Sequence, residues 1–368
     1  MAAPALTLGD LSPEAFVANH WQKKPLLVRQ AGPAPDEFDY DTIIDVACDE
    51  EVDSRLVIGD GKSVPWNQTV GPLDPDQVPE REDTPWTILI RHAERWQPTL
   101  SLLQSALSFI PAWRHQDVMV SYATPGGSVG PHTDQYDVFL FQGPGRRRWI
   151  IGETGNHTPE DQGGLNLIEP FNQTASYTVE PGDLLYLPPG VPHWGIAEEP
   201  CLTYSIGFRA PTASDLLWAL ATVVAESEQY EERYGDLDLS TSEGDAAISD
   251  TAAQRAARLM QSATTSPALI AHALALWSSQ PIADGPELED PSEPMTWQRV
   301  PGSRLIIADD ATLYADGEKV LFPPGAKKLA DAIAEDRLWS GSMEGWSDDE
   351  KALLTDLSDL AVVRGPEG

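Results

Sequence analysis

Residues 182–193 read Gly182-Asp183-Leu184-Leu185-Tyr186-Leu187-Pro188-Pro189-Gly190-Val191-Pro192-His193. A short apolar run ends in two prolines and a glycine, which set a backbone reversal, and the chain resumes at a histidine aimed inward from the turn. Upstream lies Gly130-Pro131-His132-Thr133-Asp134. Residues i and i+2 of an extended segment share a face, so His132 and Asp134 project together. Around these two stretches, β-rich runs at 118–122, 138–142, 148–151, 175–179, 183–187 and 202–208 are separated by Pro and Gly. Short strands at that spacing predict an antiparallel sandwich or barrel.

The 182–193 pattern matches the second cupin motif. Two histidines and one carboxylate from separate strands form the facial triad of non-haem Fe(II) oxygenases, which leaves coordination positions open for cosubstrate and dioxygen. A lone His-x-Asp is common by chance, and its weight here comes from His193 standing in a nearly complete motif. Ordinary cupins more often carry His-x-His and a later glutamate, so the aspartate favours iron with 2-oxoglutarate over zinc or manganese isomerase chemistry. His20, His92, His115, His157 and His272 have no such company and read as surface or packing residues. A 2-oxoglutarate enzyme also needs an inward-facing cation for the far carboxylate. Gly143-Pro144-Gly145 reads as a turn into Arg146-Arg147-Arg148-Trp149-Ile150-Ile151, where alternation sets Arg147 on the face opposite Arg146 and Arg148. An arginine fork matches a carboxylate with two hydrogen bonds.

Outside this β-rich block the texture changes. Ser12-Pro13-Glu14 carries the signals of a helix start. Residues 213–234 place Leu216, Leu217, Leu220, Val223 and Val224 at helical spacing, and two further helical stretches lie near 251–263 and 266–279. The segments 235–250 and 281–294 read as linkers. Beyond them, 304–307 and 312–314 fit a hairpin around Asp309-Asp310, and helices are expected near 325–336 and 348–360. The expected blocks are 1–210, mainly β and catalytic; 211–284, helical; and 285–368, a small α+β module.

Of 368 residues, 58 are acidic and 24 basic, a net charge of −34. Such a chain does not hold polyanions by phosphate neutralisation, which argues against general nucleic-acid or anionic-membrane binding. Residues 286–368 alone hold 18 acids against eight bases, so the last module lacks the footprint of a DNA reader. The acids are spread evenly, 29 against 13 bases in 1–210 and 29 against 11 in 211–368, and only seven of the bases are lysine. That profile fits a whole surface adapted to concentrated salt, a halophilic signature. Cys48 and Cys201 give neither a disulfide framework nor a zinc spacing, and no stretch approaches about 18 uninterrupted apolar residues. A cytoplasmic protein is the simplest expectation.

The stretches 132–139, 142–149, 188–193 and 205–211, with 21–25 and 51–57, resemble the bacterial ribosomal oxygenases, JmjC-type arginyl hydroxylases of large-subunit ribosomal protein sixteen. The resemblance is sharpest over 1–211. It implies a cupin or JmjC double-stranded β-helix, a helical dimerisation region giving a homodimer, and a winged-helix C-terminal domain. It assigns Fe(II) to His132, Asp134 and His193, and 2-oxoglutarate to Arg147 with Ser121. A basic ribosomal protein of the large subunit is the implied substrate, hydroxylated at the β-carbon of an arginine. A buried guanidinium needs a carboxylate and stacks well on a ring. Asp117 shares strand parity with Ser121, and Tyr136 with Asp134; both are candidates for that subsite, and Asp137 is the alternative as a structural acid. The competing readings are a JmjC histidyl hydroxylase or demethylase, and a non-catalytic cupin-type regulator.

Overall fold

The computed structural model describes residues 6–33, 38–80, 85–155, 157–237, 248–281, 296–342 and 344–365. Its first helix, Pro13–Asn19, starts where the sequence signals place it: Pro13 opens it and the Ser12 hydroxyl accepts the Ala15 N–H at 3.2 Å. Strands follow as β1 Leu26–Val28, β2 Ser54–Ile58, β3 Asn67–Val70, β4 Trp86–Ile90, β5 His115–Ala123, β6 Asp137–Gln142 and β7 Arg147–Gly152. After them come β8 Glu160–Gln162, β9 Leu165–Leu167, β10 Gln173–Val179, β11 Leu184–Leu187, β12 His193–Ala197 and β13 Cys201–Phe208. One sheet runs β1-β11-β6-β13-β5-β4-β2-β3 and a second β10-β7-β12, with antiparallel pairing throughout.

The two sheets face each other through Val138, Leu140, Leu185 and Leu187 on one side and Trp149, Ile151 and Val179 on the other. The outer face of the larger sheet is covered as well: Phe139, Phe141, Tyr186 and Ile206 pack with Phe16, Ile43 and Leu103 from the N-terminal helices. Burial on both faces explains why β6, β11 and β13 read as continuous apolar runs, every residue of each being buried. The six β-runs expected from sequence are all strands. The strands β2 and β4 lie outside those runs, although Thr87-Ile88-Leu89-Ile90 in β4 has the β-branched, apolar composition of a strand.

Asp137 settles as the structural acid. Fully buried, it accepts hydrogen bonds from the Tyr186 hydroxyl at 2.6 Å, Gln22 Nε2 at 3.0 Å and Arg114 Nη2 at 3.2 Å. This pins the 20–25 turn and the helical segment before β5 onto β6. Replacing Asp137 by Ala removes the acceptor of the buried Tyr186 phenol, of the Gln22 amide and of Arg114 Nη2, leaving the Arg114 guanidinium only the Arg209 carbonyl at its Nε. The expected loss is about 3 kcal/mol of stability, read as a lower urea midpoint at unchanged m-value.

Past β13, the Thr212 hydroxyl and Asp215 carboxylate form a capping box for the helix Ala213–Ala225. That helix ends before the acidic run expected to extend it to 234; Glu228–Tyr230 forms one tight turn instead. The helices Asp250–Thr264 and Pro267–Ser279 follow. Ala219, Leu220 and Val223 pack on Ala273 and Leu276, and Tyr314 of the last module joins the same core. Most of each linker, 238–247 and 282–294, lies outside the described residues. The hairpin around Asp309-Asp310 is present as Leu305–Asp309 and Thr312–Ala315, extended by Glu318–Leu321. Helices Lys327–Glu335 and Asp348–Asp359 pack on it around Leu313, Ile333, Leu353 and Leu357, an α+β module as expected.

Candidate metal and cosubstrate site

His132 and His193 stand opposite each other across an isolated antiparallel bridge, exchanging both backbone hydrogen bonds at 3.0 and 2.9 Å. This pairing brings the two motifs together. Asp134, two residues on, is held by its carbonyl accepting the Gly190 N–H at 2.7 Å, so the Pro-Pro-Gly turn also locates the carboxylate. The ring centroids of the two histidines lie 4.3 Å apart. Asp134 Oδ1 is 3.9 Å from His132 Nε2, and its Oδ2 is 3.5 Å from His193 Nε2. One ligand atom from each of the three falls within 4.8 Å of the others, the one such group among the described residues.

The outer nitrogens fix the tautomers. His132 Nδ1 lies 3.0 Å from the Gly130 carbonyl and His193 Nδ1 2.9 Å from the Val191 carbonyl. A carbonyl only accepts, so each Nδ1 carries the proton and each Nε2 offers a lone pair to the shared space. Burial, with His132 beside it, pushes His193 down to about 4, which keeps the ring neutral at physiological pH. Two imidazoles with Nε2 turned to the shared space and one aspartate beside them fit a divalent transition metal of the iron class.

Beside this cluster is a small cavity of about 70 Å³, lined by Ser121, Arg147, Trp149, His132, Asp134 and His193 among others. Arg147 is buried, while Arg146 is exposed and Arg148 intermediate, as strand alternation requires. Its Nη1 donates to Ser121 Oγ at 3.2 Å, whereas Nε and Nη2 have no partner, and no carboxylate pairs with it among the described residues. A buried guanidinium with two free N–H groups facing a cavity calls for an absent anion. Gly195 has to be glycine: a Cβ there would meet the Trp149 indole at 2.6 Å and drive it into the cavity. Thr87 of β4 also lines this space, its hydroxyl unpartnered; it is a site residue outside the sequence expectations, and only the strand composition of 87–90 signals it.

A wider groove of about 420 Å³ opens from the metal cluster and is walled by Arg91, Gln116, Met119 and Tyr136. Asp117, on the same strand as the groove residues Gln116 and Met119, is buried and does not itself line the groove; Arg91 Nε lies 3.8 Å from it and the His92 N–H 3.4 Å. Burial pushes its carboxyl up from the ordinary range, and Arg91 pulls the other way. Tyr136 is close by: a Cβ at Gly207 would stand 3.3 Å from Asp117 Oδ1 and 3.7 Å from Tyr136 Cε2. Burial, then the charges of Asp134 and Asp117, push the Tyr136 phenol up, so it stays protonated. Of the seven residues expected from sequence, Ser121, His132, Asp134, Tyr136, Arg147 and His193 line the small cavity, and Asp117 is buried without lining it. His92 and His115 are buried packing groups, and His272 instead pairs with Asp309 at 3.0 Å.

A double-sheet β-barrel with two histidines, an aspartate and a buried, unpaired arginine beside one cavity has the arrangement of the JmjC class of oxygenase. The family model for the JmjC domain matches residues 102–216, and a model for an AraC-like ligand binding domain matches 171–279. The chain is 34% identical over 339 residues to the ribosomal protein uL16 3-hydroxylase of Escherichia coli strain K12, covering 87% of this chain and 88% of that protein. The solved structure of YcfD, a ribosomal oxygenase from Escherichia coli, superposes with a TM-score of 0.82 at 30% identity over the whole of both chains. The same protein in complex with cobalt and 2-oxoglutarate gives 0.81 at 30% identity, over 98% of each chain. The chain belongs to the ribosomal oxygenase family of JmjC-type, 2-oxoglutarate-dependent hydroxylases.

Proposed function

We propose that this protein hydroxylates the β-carbon (C3) of an arginine residue in ribosomal protein uL16 of the large subunit, using Fe(II), 2-oxoglutarate and dioxygen. The observation that carries this reading is Arg147, buried beside a two-histidine, one-aspartate cluster with two N–H groups unpartnered. His132, Asp134 and His193 would hold the iron, and Arg147 with Ser121 the far carboxylate of 2-oxoglutarate. When bound, the iron with its cosubstrates supplies the oxidant for one C–H bond; one oxygen atom goes to carbon, the other to succinate, and carbon dioxide leaves.

The chain's own task is placement. Arg147 and Ser121 fix the cosubstrate from one side, and the apolar wall of Val138, Leu140 and Trp149 keeps water from the reacting face. Asp117 would pair with the substrate guanidinium and Tyr136 would form the wall against which it lies. A carboxylate with an aromatic neighbour suits a guanidinium better than an imidazole, which favours an arginyl over a histidyl substrate. In the test, uL16 added to the iron-loaded protein should make succinate form stoichiometrically with uL16 consumed. Succinate release indifferent to uL16 would contradict the reading.

The chain is proposed to divide at 1–210, 211–284 and 285–368, with the last block a winged-helix domain. The homodimer contact is proposed to lie on the middle helices, where Leu217, Trp218 and Met260 are 60%, 57% and 57% exposed and Leu217 and Met260 line one groove. The acid-rich C-terminal block is proposed to bind no DNA. No described helix is long and apolar enough to cross a membrane, and a ribosomal substrate with two free cysteines fits a cytoplasmic enzyme. Its even acidity fits a salt-rich habitat.

A further inference from the structure

The first residues of β5 lack a strand on one side. β4 pairs with β5 only from Val120 to Ala123. On the other side β13 breaks register at Gly207, between Ile206 opposite Val118 and Phe208 opposite His115. Buried backbone groups must still find partners, and these find them outside the sheet. The buried Glu94 carboxylate accepts the Val118 N–H at 2.9 Å. Arg304 donates Nη2 to the His115 carbonyl at 2.7 Å and Nη1 to the Gln116 carbonyl at 2.9 Å. Arg304 belongs to the C-terminal module. Its Nε donates to the Ser278 carbonyl at 2.8 Å, at the end of helix Pro267–Ser279, and its backbone N–H donates to Asp316 Oδ1 at 2.6 Å. One planar fork thus ties three blocks of the chain to the two peptide units immediately before Asp117.

We propose that Arg304 is a positioning residue for the substrate-arginine subsite, fixing the backbone from which Asp117 projects, so that the C-terminal module sets the affinity for substrate. The proposal rests on the reading of Asp117 as the carboxylate for the substrate guanidinium. Asp117 has an internal rival, Arg91 Nε, at 3.8 Å. With the clamp in place the carboxylate stands off from Arg91. Without it, β5 relaxes, Asp117 closes on Arg91, and an incoming guanidinium must displace one already seated.

The test uses the full chain loaded with Fe(II), measuring KM for uL16, KM for 2-oxoglutarate and kcat for the wild type, Arg304→Lys, Asp117→Asn and the double variant. Lysine keeps the charge but cannot span both carbonyls. Losing those bonds should raise the uL16 KM about tenfold, with the 2-oxoglutarate KM unchanged. Asp117→Asn should raise the uL16 KM at least as far, and the double variant should go no further than Asp117→Asn alone, because both act on one interaction. If Asp117→Asn leaves the uL16 KM unchanged, the reading of Asp117 fails and the proposal with it. If Asp117→Asn raises it and Arg304→Lys does not, the positioning role alone is overturned. If Arg304→Lys lowers kcat and melting temperature with both KM values intact, Arg304 is structural only and the proposal fails.

Discussion

Asp134→Ala is expected to abolish stoichiometric iron binding and to lower turnover on uL16 by about a thousandfold or more, since a metal centre contributes several kcal/mol to the barrier. Asp134 is the one anionic donor of the cluster, facing Nε2 of His193 at 3.5 Å and of His132 at 3.9 Å. Its side chain faces the opening, 21% exposed, so the loss should come without unfolding. Elemental analysis after dialysis, beside a melting curve, separates the two. Near-native iron content with near-native turnover would remove Asp134 from the site. Asp137, three residues on, should behave the opposite way: its loss costs stability, and iron content per folded molecule should hold.

Arg147→Gln is expected to raise the 2-oxoglutarate KM by about a hundredfold, because a carboxylate left in a buried site without its cation costs about 3 kcal/mol or more. The free protein should tolerate this change. Arg147 carries two unsatisfied nitrogens in a cavity and no ion pair among the described residues, so removing it relieves a desolvated charge at the cost of one hydrogen bond, to the Ser121 hydroxyl. The variant should therefore melt no lower than the parent in the absence of ligand. Adding 2-oxoglutarate should raise the melting temperature of the parent and leave the variant's unchanged. An unaltered 2-oxoglutarate KM in Arg147→Gln would place the cosubstrate elsewhere.

Much of this site was legible because its information is local. The Pro188-Pro189-Gly190 turn fixes where His193 begins a strand, the two-residue period puts His132 and Asp134 on one face, and the same period picks Arg147 from three consecutive arginines. What the sequence hid is non-local. β1 pairs with β11 from more than 150 residues away, Leu26 opposite Tyr186, and nothing in Leu26-Leu27-Val28 names that partner. Thr87 was hidden with β4. Asp117 and Asp137 look alike as acids on β-strands; their surroundings differ because Asp137 meets three donors from distant segments, while Asp117 has the His92 N–H at 3.4 Å and Arg91 Nε at 3.8 Å. Arg304 looked like an ordinary base at the start of a hairpin, and its two carbonyl partners lie nearly 190 residues upstream.

Electrostatics divides along the same line. The acidic excess that dominates the composition gives the surface its sign, and the catalytic reading draws little from it. The scarce arginines carry structural and chemical weight: Arg147 faces the small cavity beside the two histidines, Arg114 holds Asp137, and Arg304 bridges the modules. An acidic exterior also raises the local concentration of a basic protein substrate, an effect that weakens as salt rises.

The most direct test of the account is fragmentation mass spectrometry of uL16 incubated with this protein, Fe(II) and 2-oxoglutarate. The account predicts a gain of one oxygen atom, localised to the β-carbon of a single arginine, absent when Asp134→Ala replaces the parent. An unmodified uL16, or an oxygen placed on a histidine or lost as a demethylation, would contradict it.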